Sequence, residues 1–331
     1  MTQLIDNFNR QITYLRLAVT DRCNLRCQYC MPAEGINIVE RKELLTYKEM
    51  YRIVRVLSEL GVNKVRLTGG EPFVRKDFIY FLEKLNFNEN LEEINITTNG
   101  ALITNHIDKL EKLNIKNVNL SIDSLEKENF YKITRRDVFE KVYQTLEQLE
   151  KSTLNLKLNV VIQSGINTNE IKDFIELTRY KNLSVRFIEE MPFNGKGLRK
   201  TTEKWDFNKI YQEIENNFSA IIKLEEKKSS TSKNYKIKGY KGSFGIIPAF
   251  TRTICGDCNR IRITATGLFK NCLFDDGVFN IRDFIRNGAS DQEIKELFLQ
   301  IVAKKPKNGF IAEATRKSKG GVSESMSTIG G

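Results

Sequence analysis

Between Leu15 and Ile188, short apolar-polar runs alternate with stretches of helical period. Parallel strands joined by crossover helices are the arrangement that produces such a pattern. The runs expected as strands are Leu15–Val19, Lys64–Thr68, Glu93–Thr97, Asn117–Ile122, Leu156–Ile162 and Ser184–Ile188. Helices are expected near Lys48–Leu60, Lys76–Leu85, Asn105–Lys112, Val138–Glu150 and Asn169–Tyr180, with Thr46 and Thr104 where N-caps belong.

Side chains alternate across a strand, so if one face of each run meets the helices, the other points elsewhere. The members of that second face are polar: Arg16 and Thr20; Arg66 and Thr68; Asn95, Thr97 and Asn99; Asn119, Ser121 and Asp123; Lys157 and Asn159; and Arg186. An eight-stranded barrel ordinarily fills its interior with branched aliphatic side chains. Six strands with polar inner rows instead imply an α/β fold of the incomplete (β/α)6 TIM type, open around a wet cavity. The competing arrangement is a curved open sheet with this face in water. Arg16, Arg66, Lys157 and Arg186 repel one another, and partly buried cations without partners cost several kcal/mol each. An anion among them removes the conflict, and phosphate oxygens suit, at roughly 1.5–3 kcal/mol per charge-assisted hydrogen bond.

The six cysteines fall into two triplets: Cys23, Cys27 and Cys30, then Cys255, Cys258 and Cys272. A four-iron cluster held by three thiolates keeps one iron open to a substrate or cofactor. The first triplet has the form C-x3-C-x2-C and is followed by Pro32 and Gly35, which suit a loop that curls around three corners of a cube. Zinc is the rival ligand, but each triplet would need a fourth donor, and His106 is the only histidine, at what reads as an exposed helix start. Disulfides are the other rival. A long chain whose first ten residues carry no apolar core of signal-peptide length points instead to a reducing, cytoplasmic setting.

A chain of 331 residues exceeds the ~250–300 at which single cores stop growing, so a larger unit, 1–192, and an extension, 193–331, are expected. No run reaches the ~18 apolar residues of a membrane span. The net charge of +11 calls for an anionic partner, yet no RNA-binding aromatic motif accompanies it, and nucleic acid is disfavoured. Much of the excess lies in two tracts, Lys223 to Lys241 and Lys304 to Lys319, which read as solvated faces or mobile segments. After the second strand, Thr68-Gly69-Gly70-Glu71-Pro72 combines close backbone approach with a carboxylate at the strand's carboxyl end, a loop able to receive an amine.

C-x3-C-x2-C after the first strand and Gly-Gly-Glu-Pro after the second together resemble the radical S-adenosylmethionine (SAM) superfamily. Cys255-Gly256-Asp257-Cys258-Asn259-Arg260-Ile261-Arg262, followed by Gly267 and Cys272, narrows the likeness to the GTP 3′,8-cyclase family of molybdenum cofactor biosynthesis. The likeness also takes in Leu15-Arg16-Leu17, the run Arg186 to Met191 and the terminal Gly330-Gly331. It implies two 4Fe-4S clusters, one per cysteine triplet, with SAM on the first. By the same resemblance Tyr29, Gly70, Glu71, Ser121, Asn159 and Met191 contact SAM. Arg16, Arg66, Thr97, Lys157, Arg260, Ile261 and Arg262 hold GTP, with Arg16, Arg260 and Arg262 also catalytic, and the Gly-Gly tail enters the pocket. The implied reaction removes the ribose 3′ hydrogen and closes the sugar onto C8 of the same guanine, supplied by an external low-potential electron donor. A downstream enzyme then forms the cyclic pyranopterin. A homodimer stays open. The alternative within radical chemistry is a peptide-modifying maturase whose second cluster relays electrons; outside it stands a zinc-stabilised basic RNA-binding protein.

Overall fold

Strand period and helix period place the apolar side chains of this chain on two surfaces that can only be buried against each other. Leu15, Leu17, Val65, Leu67, Ile94 and Ile96 on the outer face of the strands are fully buried, as are Met50, Ile53, Val54 and Leu57 along one stripe of the first helix. Each such aliphatic side chain contributes roughly 1.5–3 kcal/mol when removed from water. The structure, a computed structural model, describes residues 3–113, 115–191, 193, 203–226, 228–316 and 325–330.

The strands are β1 (Tyr14–Ala18), β2 (Lys64–Thr68), β3 (Glu93–Thr98), β4 (Ile115–Ser121), β5 (Asn155–Ile162), β6 (Ser184–Glu189), β7 (Ile221–Lys223), β8 (Lys233–Ile237), β9 (Ser243–Ile247), β10 (Arg260–Ile263), β11 (Leu268–Lys270) and β12 (Phe279–Asn280). The helices are α1 (Tyr47–Glu59), α2 (Phe78–Asn86), α3 (Ile107–Glu111), α4 (Lys127–Thr134), α5 (Phe139–Lys151), α6 (Ile171–Glu176), α7 (Phe207–Asn217), α8 (Ile281–Arg286), α9 (Asp291–Ala303), α10 (Gly309–Ala314) and α11 (Met326–Ile329). Among the described residues the strands form one 12-stranded sheet in the order β12-β11-β10-β1-β2-β3-β4-β5-β6-β9-β8-β7.

The six expected strands are present and parallel, within two residues of the expected bounds. The parallel run is longer than expected: β10 joins it beside β1 and β9 beside β6. Neither carries the strand-helix alternation that exposed the other six, because the chain passes from β9 to β10 through the loop 248–259 and no helix. The ends of the sheet order are unpaired among the described residues, so the fold is an incomplete TIM-type barrel, open on one side.

Thr46 caps α1 as expected, accepting from Glu49 N at 3.2 Å while the Glu49 carboxylate accepts from Thr46 N at 2.6 Å. Thr104 does not cap. It lies inside a short 3-10 turn, Thr104–His106, and its hydroxyl pairs with Thr145 at 2.6 Å instead. His106 is partly buried and stacked on Phe73 rather than exposed, with 5.7 Å between ring centres. Helix α4 was not anticipated, because its apolar stripe is short. It is closed by Arg135 in the left-handed region at φ 55°, and buries Phe130 and Ile133.

Candidate active site

The inward side chains enclose a cavity of about 1150 Å³, and all six cysteines open on it. Cys23 follows the carboxyl end of β1, whereas Asn259 O accepts from Tyr14 N at the amino end of the same strand and so holds Cys258 there. The length of β1, at about 3.3 Å per residue, therefore separates the ends of the chamber on which the two triplets open.

At the carboxyl end the first triplet curls as its spacing requires. Cys30 N and Met31 N both bond Cys27 O, at 2.9 and 3.0 Å, and the Arg26 guanidinium donates to Cys23 O at 2.7 Å. Burial pushes the Cys23 thiol up to about 11 and Cys30 to about 12, and lifts Cys27 well above the ordinary range. Metal loading must therefore displace protons here. The Gly-Gly-Glu-Pro loop passes directly beneath. A Cβ on Gly70 would lie 2.2 Å from Arg22 O and 2.5 Å from Arg22 C, so only glycine fits. Glu71 is buried with both carboxylate oxygens engaged, accepting from Thr98 Oγ1 at 2.8 Å, Asn99 N at 2.7 Å and Phe73 N at 3.1 Å. Burial raises its carboxyl to about 7. Tyr29 donates to Asp123 at 2.8 Å, and Gly70, Ser121, Asn159 and Met191 complete this end of the wall.

Deeper in the barrel the expected cations converge. Arg16 stands in register with Arg66 on one side and Arg262 on the other, and Asn119 lies between Thr97 and Lys157. Arg66 donates to Thr97 Oγ1 at 3.3 Å and, through Nε, to the Tyr14 hydroxyl. Burial, reinforced by Arg186, Arg66 and Lys64, holds Lys157 down at about 7. Burial likewise depresses Arg16 and Arg186 to about 10. Burial alone would raise Tyr14, but Arg66, Arg16 and Lys64 outweigh it and bring the phenol to about 7. Arg16 Nε, Arg186 Nε, Asn119 Oδ1 and Asn159 Oδ1 are buried with no partner among the described residues. Cations and orphaned polar atoms facing one chamber suit a polyanionic ligand.

Cys255 and Cys258 sit on the loop 248–259, and Cys272 follows β11. Burial would raise Cys258, but the Arg260 and Lys305 charges bring it down to about 6, with Arg260 also bonding the sulfur. Arg260 and Arg262 face the cavity; Ile261, between them, does not. Its side chain is wholly buried in the main core and its backbone pairs with Leu15, so this expected substrate contact brings no side chain to the site. Thr20 and Asn95, read as inner-row members, also stay off the cavity wall; Asn95 is sealed by Asn117, which donates to it at 2.6 Å.

The end of the chain threads between the two triplets. Ser325 Oγ donates to Cys30 O at 2.7 Å, Ile329 packs with Phe193, Phe274 and Ala312, and Gly330 reaches Arg262. Gly331 lies outside the described residues, as do most of 194–204 and part of the second basic tract. Tyr14, Lys64 and Lys116 also line the cavity and were not singled out from the sequence. Tyr14 and Lys64 stand two residues before Arg16 and Arg66, so the same alternation carried the signal.

All six cysteines are free thiols. Among the described residues no three His, Cys, Asp or Glu side chains converge as ligands of one metal ion. A cubane takes each thiolate on a different iron, so three thiols that line one chamber without converging on a single ion fit that group better than zinc. No helix among the described residues is long and apolar enough to cross a membrane.

Residues 17–178 match the Radical SAM superfamily, and residues 183–311 match Molybdenum Cofactor Synthesis C. The chain is 39% identical over 328 residues to GTP 3′,8-cyclase of Thermodesulfovibrio yellowstonii, covering 98% of this chain and 99% of that protein. It is 43% identical over 305 residues to molybdenum cofactor biosynthesis protein 1 of Dictyostelium discoideum, covering 91% of this chain and 48% of that protein. It thus spans about half the length of the latter. Among solved structures it resembles Streptococcus suis SuiB with a TM-score of 0.64 at 15% identity, over 93% of this chain and 70% of that one, a likeness of fold alone.

Proposed function

Since this chain belongs to the GTP 3′,8-cyclase family of molybdenum cofactor biosynthesis, within the Radical SAM superfamily, we propose that it is a lyase acting on GTP. Its product is (8S)-3′,8-cyclo-7,8-dihydroguanosine 5′-triphosphate. The observation that carries this reading is that two thiol triplets, one following the carboxyl end of β1 and the other held at its amino end, open on one chamber with a row of cations on its wall.

Each triplet holds a 4Fe-4S cluster in this reading, the first with SAM and the second facing guanine. When bound, the first cluster and SAM supply a 5′-deoxyadenosyl radical able to take the ribose 3′ hydrogen. Residues 1–192 provide the cofactor end and 193–331 the second thiol set with Arg260 and Arg262, although strands from both share one sheet.

The remaining work falls to side chains already in place. Arg16, Arg66 and Lys157 hold the triphosphate, and Thr97 fixes Arg66 through its hydroxyl. Arg260 and Arg262 flank the purine end, where charges set before the reaction need no solvent rearrangement as the ring closes. Holding sugar and base in one fixed pose makes the closure unimolecular. Tyr29, Gly70, Ser121, Asn159 and Met191 shape the SAM end, and Glu71 braces the glycine loop through its three protein hydrogen bonds. A low-potential external electron donor, a following enzyme that forms the cyclic pyranopterin, and a cytoplasmic setting complete the reading.

Anaerobic reconstitution followed by mass spectrometry of the nucleotide products tests it. GTP-dependent formation of 5′-deoxyadenosine together with a cyclised dihydro-GTP is expected. Equal deoxyadenosine with GTP absent and no cyclised nucleotide would sink the assignment, and turnover of a peptide unaffected by replacing Arg260 and Arg262 would favour the maturase alternative.

A further inference from the structure

The second basic tract, Lys304 to Lys319, reads from sequence as a solvated charge run, yet Lys305 within it is only 3% exposed. Its ammonium donates to Arg260 O at 2.8 Å and to Asn271 O. Those two carbonyls belong to the backbone segments that carry the second thiol set: Arg260 lies two residues after Cys258, and Asn271 immediately precedes Cys272. The stretch 305–307 is strapped to the same site from the other side. Arg10 donates to Pro306 O and Lys307 O, both at 2.8 Å, and to Cys255 O at 3.3 Å.

The two basic residues differ in one respect. Arg10 is neutralised by Asp6, at 2.6 Å, whereas no carboxylate pairs with Lys305 among the described residues. Asp275 feels its charge without touching it, and accepts instead from Cys272 N at 2.7 Å and Gly277 N at 2.9 Å. Carbonyl dipoles solvate a buried ammonium but do not neutralise it, and an uncompensated buried charge costs several kcal/mol. What its two carbonyl partners hold it beside is the second thiol set, since they lie on the backbone segments that bear Cys258 and Cys272.

We infer that Lys305 is the counter-charge of the second iron-sulfur site. It is a positioning residue that ties the segments bearing Cys258 and Cys272 together, and its fixed charge favours the reduced, more negative state of the cluster they hold. This rests on the two-cluster reading above. Other charges near an iron-sulfur centre act in the same way on its potential.

The test uses the full chain with Cys23, Cys27 and Cys30 all replaced by Ala, so that iron reports the second site alone. Lys305→Gln removes the charge and keeps a donor, while Lys305→Arg keeps the charge. After anaerobic reconstitution, iron and sulfide per chain and the midpoint potential are measured, the latter by a redox titration followed by electron paramagnetic resonance. The Gln variant is expected to hold less iron and to titrate at a more negative potential than its parent, with the Arg variant close to the parent. Unchanged iron and potential in the Gln variant overturn the inference. So does a Gln variant that fails to fold before iron is supplied, since the lysine would then be a strut for the chain and not for the cluster. A parent that takes up no iron brings down the two-cluster reading and this inference with it, whereas a loaded parent beside an unaffected variant overturns the inference alone.

Discussion

The Arg262 guanidinium donates to the carbonyl of Gly330 at 2.7 Å, joining a strand residue of the barrel wall to the end of the chain. Burial, together with the neighbouring Arg16 and Arg260, holds the Arg262 guanidinium well below its ordinary range, and the Gly330 carbonyl is a dipole that favours its charged form. Loss of a hydrogen bond to a charged group costs roughly 1.5–3 kcal/mol. Arg262→Ala is therefore expected to lower kcat/KM for cyclisation roughly 10- to 100-fold, at about 1.36 kcal/mol per tenfold. Cleavage of SAM should persist, which a parallel assay of 5′-deoxyadenosine and cyclised nucleotide distinguishes.

Gly330 itself has no room for a side chain. A Cβ there would stand 2.6 Å from Thr68 Oγ1 and 2.9 Å from Ala18 Cβ, on a backbone at φ +76°. Gly330→Ala should push the tail out of the chamber and lower cyclisation, though less than Arg262→Ala, which also removes a charge from the purine end. The double variant should be little worse than Arg262→Ala alone, because the contact that Gly330→Ala breaks is already gone. Fully additive losses would show that the two act separately.

Gly70→Ala is expected to act at the other end. The added methyl would meet the backbone of Arg22, which cannot swing aside as a side chain can. Overpacking of this kind costs roughly 1–3 kcal/mol. The variant should lose iron from the first site and bind SAM weakly, as measured by iron content and equilibrium binding, while the second site loads normally.

Lys157 gives the site a pH dependence of definite sign. Its folded value of about 7 lies below that of an ordinary lysine, so as pH rises through 7 the empty site loses a positive charge. Tyr14, also near 7, becomes a phenolate over the same interval. Both changes oppose a polyanion. The KM for GTP should rise with pH above about 7, and more steeply than kcat falls. Lys157→Arg should flatten the lysine's share of that rise, and adding Tyr14→Phe should remove the rest. A pH-independent KM in the wild-type enzyme would rule out this account of the cation row.

Residues close in sequence were the easiest to read. Strand alternation put Arg16, Arg66, Lys157 and Arg186 on one face because side-chain direction depends only on the backbone of each strand. The same rule held Tyr14 and Lys64, which escaped notice for lack of a motif. Thr104 failed as a cap for the opposite reason: whether a hydroxyl caps or bonds elsewhere depends on a neighbour such as Thr145, brought in from another helix. Ile261 entered with the Arg260–Arg262 segment that resembles the family, but alternation turns its side chain to the core.

Local chemistry thus determined which face of each strand would carry the cations and which residue types suit iron and phosphate. Folding decided the rest: that β9 and β10 extend the parallel run, that Gly330 meets Arg262, and that Lys305 is buried behind two cysteine segments. These are contacts between distant parts of the chain, and they exist only once burial of apolar surface has chosen which edges and loops lie together.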